Sequence, residues 1–252
     1  MKIAIDNGHG NNTAGKRTPL FSDGTFMREW EFNSAVAKEL KKILDYNGFD
    51  CLLVSPEETD TSLPTRVRRA NNWGADVYVS IHANAFGNDW NTANGVETFI
   101  CDNTDAKTNT LGKVVQRRLI EVTKRRDRGL KTNDGLYVLN ATRMPACLVE
   151  CGFMTNLEEA TLLRNQEYRT TCAVGIAKGI CDYAGVEYKD MNGVVPKMIR
   201  YQKIEKVPKW YRPTIQKLLR SGFLFGDANG NLDLSEDMCR VFVANDRAGI
   251  YD

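Results

Sequence analysis

Histidine is scarce in this 252-residue sequence, which contains two. It also has no Cys-x-x-Cys, no internal repeat, no low-complexity tract and no apolar run of about 18 residues. Each absence removes a class of protein. Without a long apolar run, no transmembrane helix and no membrane insertion are expected. Met1 leads straight into Lys2-Ile3-Ala4-Ile5, too short a run for the apolar core of a signal peptide. Synthesis in the cytoplasm without a secretory address is therefore expected. An excess of one charge is missing too. Thirty-four Lys and Arg stand against 32 Asp and Glu, a net charge of +2, which argues against nucleic acid as a main partner. The seven cysteines, at 51, 101, 147, 151, 172, 181 and 239, are odd in number and lack zinc-ligand spacing. They read as reduced, buried thiols made in a reducing compartment.

What is present is an ordinary soluble composition, 42% hydrophobic and 26% charged, in a chain long enough to bury a core without disulfides. Up to about residue 185, β-branched runs alternate with helical patterns. Strands are predicted at Lys2–Asp6, Asp50–Val54, Asp76–Ile81, Gly95–Cys101 and Ala146–Cys151. Helices are predicted at Arg28–Asn47, Leu63–Trp73, Lys107–Arg126, Leu157–Leu163 and Gln166–Ala184. Residues 7–27, rich in Gly, Asn, Thr, Ser and Asp, form a long loop of the kind that is usually functional. The alternation predicts an α/β fold: a mostly parallel, open, twisted sheet with helices on both faces and a ligand site beyond the strand C-termini. Residues 1–185 are read as the catalytic domain and 186–207 as a linker. Residues 208–252 are read as a small helix-turn-helix module, with Trp210, Ile215, Leu218 and Leu219 on one stripe and Met238, Val241 and Phe242 facing inward. So short a segment needs a partner surface, so docking or a homodimer through it is expected.

Both histidines stand at predicted strand ends, His9 in Asp6-Asn7-Gly8-His9-Gly10 and His82 in Ser80-Ile81-His82-Ala83-Asn84. The glycines beside His9 are expected to let the chain turn sharply. Two imidazoles at neighbouring strand ends can share one metal, and zinc needs a third protein ligand with a position left open for water. Glu29 and Glu31 compete for that role. At 3.6 residues per turn, Glu29 shares the apolar stripe of Phe32, Val36, Leu40 and Ile43, whereas Glu31 falls with Lys38, Lys42 and Asp45. A carboxylate heading a buried stripe is costly unless it is paired or bound to a cation, so Glu29 is the better ligand. The alternative is an ion pair of Glu29 with Arg28 or Arg66. A fourth polar residue, Glu150, stands near the end of the otherwise apolar strand from Ala146, on the face of Leu148. Desolvation there raises a carboxyl pKa toward neutrality, which suits a general base. Its alternative is a buried ion pair.

These motifs, in order over residues 2–184, resemble the zinc-dependent N-acetylmuramoyl-L-alanine amidases of the amidase 3 family, found among autolysins, sporulation enzymes and phage endolysins. Asp6-Asn7-Gly8-His9-Gly10 resembles the first ligand motif, with Asn7 where many members have proline. Glu29-Trp30-Glu31-Phe32-Asn33 resembles a Glu-x-Asp-x-Asn motif and selects Glu29 independently. Ser80-Ile81-His82-Ala83-Asn84-Ala85 resembles the second histidine motif, and Gly95-Val96-Glu97 the strand after it. Arg128-Gly129-Leu130-Lys131, Tyr137-Val138-Leu139 and Met144-Pro145-Ala146 through Glu150-Cys151-Gly152-Phe153-Met154-Thr155-Asn156 resemble the block carrying a catalytic glutamate.

The resemblance implies a Zn²⁺ held by His9, Glu29 and His82, with Glu150 as general base. The substrate would be peptidoglycan, cut between the lactyl group of N-acetylmuramic acid and L-Ala of the stem peptide. Asn84 is the candidate for orienting an imidazole or touching substrate. An enzyme without a secretory address would reach the wall by endolysin-like release or from a spore mother cell. Two other functions compete: a zinc peptidase cutting inside the stem peptide, and a non-catalytic cell-wall binding protein. Residues 210–237 are loosely similar to a surface-layer-homology motif, so wall binding is a second candidate role for the C-terminal module. Asp227-x-Asn229-x-Asn231-x-Asp233 has the spacing of a calcium loop, but Leu232 takes the place of its required glycine.

Overall fold

The computed structural model describes residues 1–102, 105–191, 200–227 and 230–251. The chain divides into two compact units, Met1–Lys189 and Asp190–Asp252.

In the larger unit, β1 (Lys2–Asn7), α1 (Glu29–Tyr46), β2 (Asp50–Leu53), α2 (Leu63–Trp73) and β3 (Val77–Asn84) follow in sequence. Then come β4 (Val96–Ile100), α3 (Ala106–Thr123), β5 (Asp127–Thr132), α4 (Tyr137–Asn140), β6 (Ala146–Phe153), α5 (Leu157–Arg164) and α6 (Gln166–Ala184). The six strands form one sheet in the order β2-β1-β3-β6-β4-β5. All neighbours are parallel except β4 and β6, which run antiparallel. The sheet is thus mostly parallel, as expected, with one reversal that leaves β4 and β5 pointing opposite to the rest.

The larger unit departs from expectation after β4. The helix expected to reach Arg126 stops at Thr123, where Lys124 takes a left-handed conformation (φ 54°) and caps it. Residues 127–132 then form an edge strand paired with β4 alone. With Gly129 and alternating charges this segment shows no apolar period, so nothing in the sequence marks it as a strand.

Strand alternation divides the core between the two sheet faces. Ala4, Tyr78, Ala146 and Leu148 pack with Val67 and Ala70 of α2 and with Val138 and Leu139 of α4. On α1, the stripe Phe32, Val36, Leu40 and Ile43 is buried, and this helix packs against β1, β2, β3 and α6. Among the described residues, no helix is long and apolar enough to cross a membrane.

The smaller unit has a two-stranded antiparallel pair, β7 (Arg200–Tyr201) with β8 (Leu234–Ser235), and two helices, α7 (Arg212–Arg220) and α8 (Glu236–Arg247). Tyr201, Val207, Tyr211, Ile215, Leu218, Leu234 and Cys239 are buried in it. Trp210 is 70% exposed, and Met238 and Val241 point outward. The inward stripe of α8 is instead Cys239 with Phe242 and Val243, residues three and four apart on one helix face.

Candidate metal centre and active site

The same alternation that builds the α2/α4 core carries the site. Two residues beyond Ala4, Tyr78 and Leu148 on that face stand Asp6, Ser80 and Glu150, and His82 follows Ser80 by two. Register completes the row: Asp6 pairs with Ser80, His82 with Glu150, and Glu150 with Glu97.

His9 lies just past β1, and Glu29 opens α1. Between them these two and His82 present one ligand atom each, all within 4.8 Å of one another. Glu29 is 2% exposed. Its Oε1 lies 2.9 Å from His82 Nδ1 and accepts from the Ala83 backbone N–H at 3.2 Å; its Oε2 lies 3.3 Å from His9 Nε2. Asn33 Nδ2 donates to Glu29 Oε1 at 3.2 Å and to the Gly8 carbonyl at 2.9 Å. No Arg or Lys pairs with Glu29 among the described residues. Arg66, the alternative partner, is engaged by Asp6 and Asp60. A buried carboxylate flanked by two imidazoles, without a cationic side chain on it, is a donor set that fits a divalent zinc-type cation. Glu31 is exposed and accepts from the Arg28 N–H at 2.8 Å, a helix cap, so helical phase separated the two glutamates correctly.

The turn at His9 is not made as expected. Neither Gly8 nor Gly10 has positive φ; His9 itself does, at 63°. The glycines are needed for space. A Cβ on Gly8 would fall 2.1–2.6 Å from three atoms of the His82 ring, and one on Gly10 would fall 2.1 Å from the Asp60 backbone nitrogen. The two rings meet edge-on, with centroids 5.0 Å apart.

Electrostatics separate the groups. Burial outweighs the attraction of Glu29 and pushes His9 down to about 4. Burial also disfavours charge on His82, but the hydrogen bond and charge of Glu29 outweigh it and raise its pKa. Glu29, despite burial, is held at about 2 by His82. Glu150 behaves oppositely: burial, aided by Glu29 and Glu97 and opposed by His82, raises it to about 8. Its Oε2 is buried without a hydrogen-bond partner. A metal ion beside it would pull that value back toward neutrality.

Asn84 bonds neither imidazole. Its Nδ2 donates to Glu97 Oε1 at 2.7 Å, and Glu97 is also paired with Arg128 and Lys131. Ser80 and Asn33 are what touch the ligand set. In the sequence Asp6, Ser80 and Glu97 stood inside the motifs without a role of their own, and Arg66 was weighed only as a partner for Glu29. Asp6 and Ser80, polar residues on otherwise apolar strands, carried the same signal as Glu150.

Two cavities flank the centre. One, of about 440 Å³, is lined by His9, Arg66, Leu136, Tyr137 and Glu150. The other, of about 390 Å³, is lined by Glu29, Ala83, Asn84, Asn88 and Met154. Lys16, His82 and Glu150 line both.

Titratable side chains gathered at the carboxyl edge of an α/β sheet, lining an open groove, are the arrangement of an α/β enzyme site. The Amidase_3 family model, described as N-acetylmuramoyl-L-alanine amidase, matches residues 3–182. The N-acetylmuramoyl-L-alanine amidase CwlM of Bacillus licheniformis is 33% identical over 180 residues, covering 71% of this chain and 67% of that protein. A sporulation-specific N-acetylmuramoyl-L-alanine amidase of Bacillus subtilis is 33% identical over 182 residues, with the same coverage. The crystal structure of an N-acetylmuramoyl-L-alanine amidase from Clostridium difficile 630 superposes with a TM-score of 0.67 at 35% identity, over 73% of this chain and 96% of that one. The chain belongs to the N-acetylmuramoyl-L-alanine amidase family Amidase_3, and its activity is that of a peptidoglycan amidase.

Proposed function

We propose that His9, Glu29 and His82 hold one Zn²⁺ and that Glu150 is the general base of a zinc-dependent hydrolysis. The bond cut is the amide between the lactyl carbonyl of N-acetylmuramic acid and the nitrogen of L-Ala. The observation that carries this reading is the buried, unpartnered Glu150 oxygen on the strand beside His82, with a buried Glu29 carboxylate between two imidazoles and paired with no Arg or Lys among the described residues. When bound, zinc supplies Lewis acidity, acidifying water and drawing electrons from a carbonyl oxygen.

The side chains do the rest. Glu150 takes the proton of the attacking water as its oxygen bonds to the lactyl carbon. It then returns that proton to the L-Ala nitrogen as the C–N bond breaks, so the leaving group departs as a neutral amine. Glu97, fixed by Arg128, Lys131 and Asn84, keeps a negative charge near Glu150 and so favours its proton-holding form between the two steps. Asn84 and Asn88 face the substrate groove.

Residues 1–185 form the catalytic domain in this reading. The C-terminal module either grips the wall or pairs two copies. Release resembles that of an endolysin or of a mother-cell enzyme. Metal analysis combined with mass analysis of a peptidoglycan digest tests the core of the proposal. Stoichiometric zinc and free stem peptides with an L-Ala N-terminus are expected. Products cut inside the stem peptide would replace it with a peptidase.

A further inference from the structure

We propose that Asp6, acting through Ser80, fixes the tautomer of His82 so that this imidazole offers Nδ1 to the metal, while Arg66, bonded to the same carboxylate, holds His9 in place. The inference rests on the reading of His9, Glu29 and His82 as metal ligands.

Asp6 on β1 and Ser80 on β3 are register partners on one sheet face. Ser80 Oγ donates its single proton to Asp6 Oδ2 at 2.8 Å. A hydroxyl whose proton is spent can only accept further bonds. His82 Nε2, 3.2 Å from Ser80 Oγ, must therefore be the donor in that contact. Glu29 Oε1, 2.9 Å from Nδ1, also only accepts, so in the metal-free protein Nδ1 carries a proton toward it; a metal would take the place of that proton, and with Nε2–H held by Ser80 the nitrogen freed is Nδ1. Asp6 is fit to hold this arrangement. Its other oxygen accepts from Arg66 Nη1 at 2.5 Å and from Ser55 Oγ at 3.0 Å. With both oxygens engaged by donors, it remains a fixed acceptor for the Ser80 proton.

Arg66 extends the same network to the other imidazole. The guanidinium is 1% exposed, unusual for arginine, and every nitrogen is used. Nε donates to the Thr61 carbonyl at 2.7 Å, and Nη1 also to the Asn7 carbonyl at 2.6 Å. Nη2 donates to the His9 carbonyl at 3.0 Å and to Asp60 Oδ1 at 2.9 Å. The two β1-end carbonyls it grips lie on either side of Gly8. This supports the left-handed backbone of His9, a conformation that costs a non-glycine residue energy unless neighbours enforce it. A merely structural ion pair between β1 and α2 would need neither the Ser80 bridge nor the His9 carbonyl. Asp6, Ser80 and Arg66 are thus positioning residues, set behind the ligands.

The test uses the full-length protein. In a ¹⁵N-histidine-labelled, zinc-loaded sample, long-range ¹H–¹⁵N spectra should show His82 protonated at Nε2 and metal-bound at Nδ1. Metal on Nε2 would overturn the inference. Ser80→Ala removes the acceptor without changing charge. It should leave the metal-free protein folded, read by circular dichroism, while weakening zinc, titrated against a chromophoric chelator, by about 10–100-fold. Arg66→Lys, which keeps the charge but loses the fork, should also weaken zinc. Wild-type zinc affinity in both variants would sink the inference and leave the metal centre standing. A wild-type protein that binds no zinc would remove the metal reading itself.

Discussion

His82 and Glu150 occupy paired positions on adjacent parallel strands, on the same sheet face, one beyond Ser80 and the other beyond Leu148. That pairing puts a candidate metal ligand and a candidate base side by side without any loop having to hold them. Rigid placement of this kind is what a proton shuttle needs, because transfer depends on a distance fixed to a fraction of an ångström.

Glu150→Gln tests the base. The amide keeps shape and volume but cannot accept the proton. Fold and zinc content should be unchanged, while peptidoglycan hydrolysis falls by about 10²–10⁴-fold. Turnover near wild type would remove Glu150 from the reaction.

The two glutamates of α1 should respond differently. Glu29→Ala should abolish tight zinc binding. Glu31→Ala removes a helix cap and should cost on the order of 1 kcal/mol of stability with zinc retained. Metal analysis after dialysis, with thermal melting, reads both. Zinc lost from the Glu31 variant and kept by the Glu29 variant would reverse the ligand assignment.

Gly8→Ala places a methyl group where the His82 ring now lies. The ring must swing away, so zinc affinity and activity should fall together while circular dichroism stays native. A variant with unchanged zinc affinity would mean that the ring has room the structure does not show.

Zinc binding should depend on pH through His82. Its pKa is raised by Glu29, and metal needs the deprotonated nitrogen, so affinity should fall as pH drops below that raised value. His9, held down to about 4, contributes no such loss near neutrality. Calorimetry in buffers of different ionisation enthalpy should show proton release on binding. In the metal-free protein the sign is opposite. The Glu29–His82 pair stabilises fully below the ordinary histidine pKa, and that part is lost as pH rises through the raised value. The Glu29 contribution is present above the ordinary glutamate pKa and is lost as pH falls toward about 2. Melting curves against pH check both limbs.

The seven cysteines form no disulfide, and six are buried. Burial pushes Cys51 and Cys147 up to about 12 and Cys181, with Asp182 beside it, to about 11. Cys101, partly exposed, should be the first to react with a thiol reagent in the native protein, and Cys101→Ser should remove that phase.

Much of the site was legible in the sequence because side-chain direction follows from local period. Helical phase placed Glu29 inside and Glu31 outside; strand alternation placed Glu150 with Leu148. The positive φ at His9 was not legible, since two neighbouring glycines are the usual carriers of such a turn. Here they are consumed by close contacts with His82 and Asp60 instead. Strand β5 escaped because an edge strand bonded on one side needs no apolar alternation.

The sequence by itself determined which residue types stand at strand ends and helix starts, and so which four groups are proposed to do the chemistry. Periodicity is a local property of the backbone and survives without knowledge of the fold. Only the tertiary structure decided which neighbours those groups meet. The order β2-β1-β3-β6-β4-β5 brings Asp6 to Ser80, Glu150 to His82 and the reversed Glu97 to Glu150. Pairings between strands 50 to 80 residues apart are set by packing of the whole core, which no local pattern encodes.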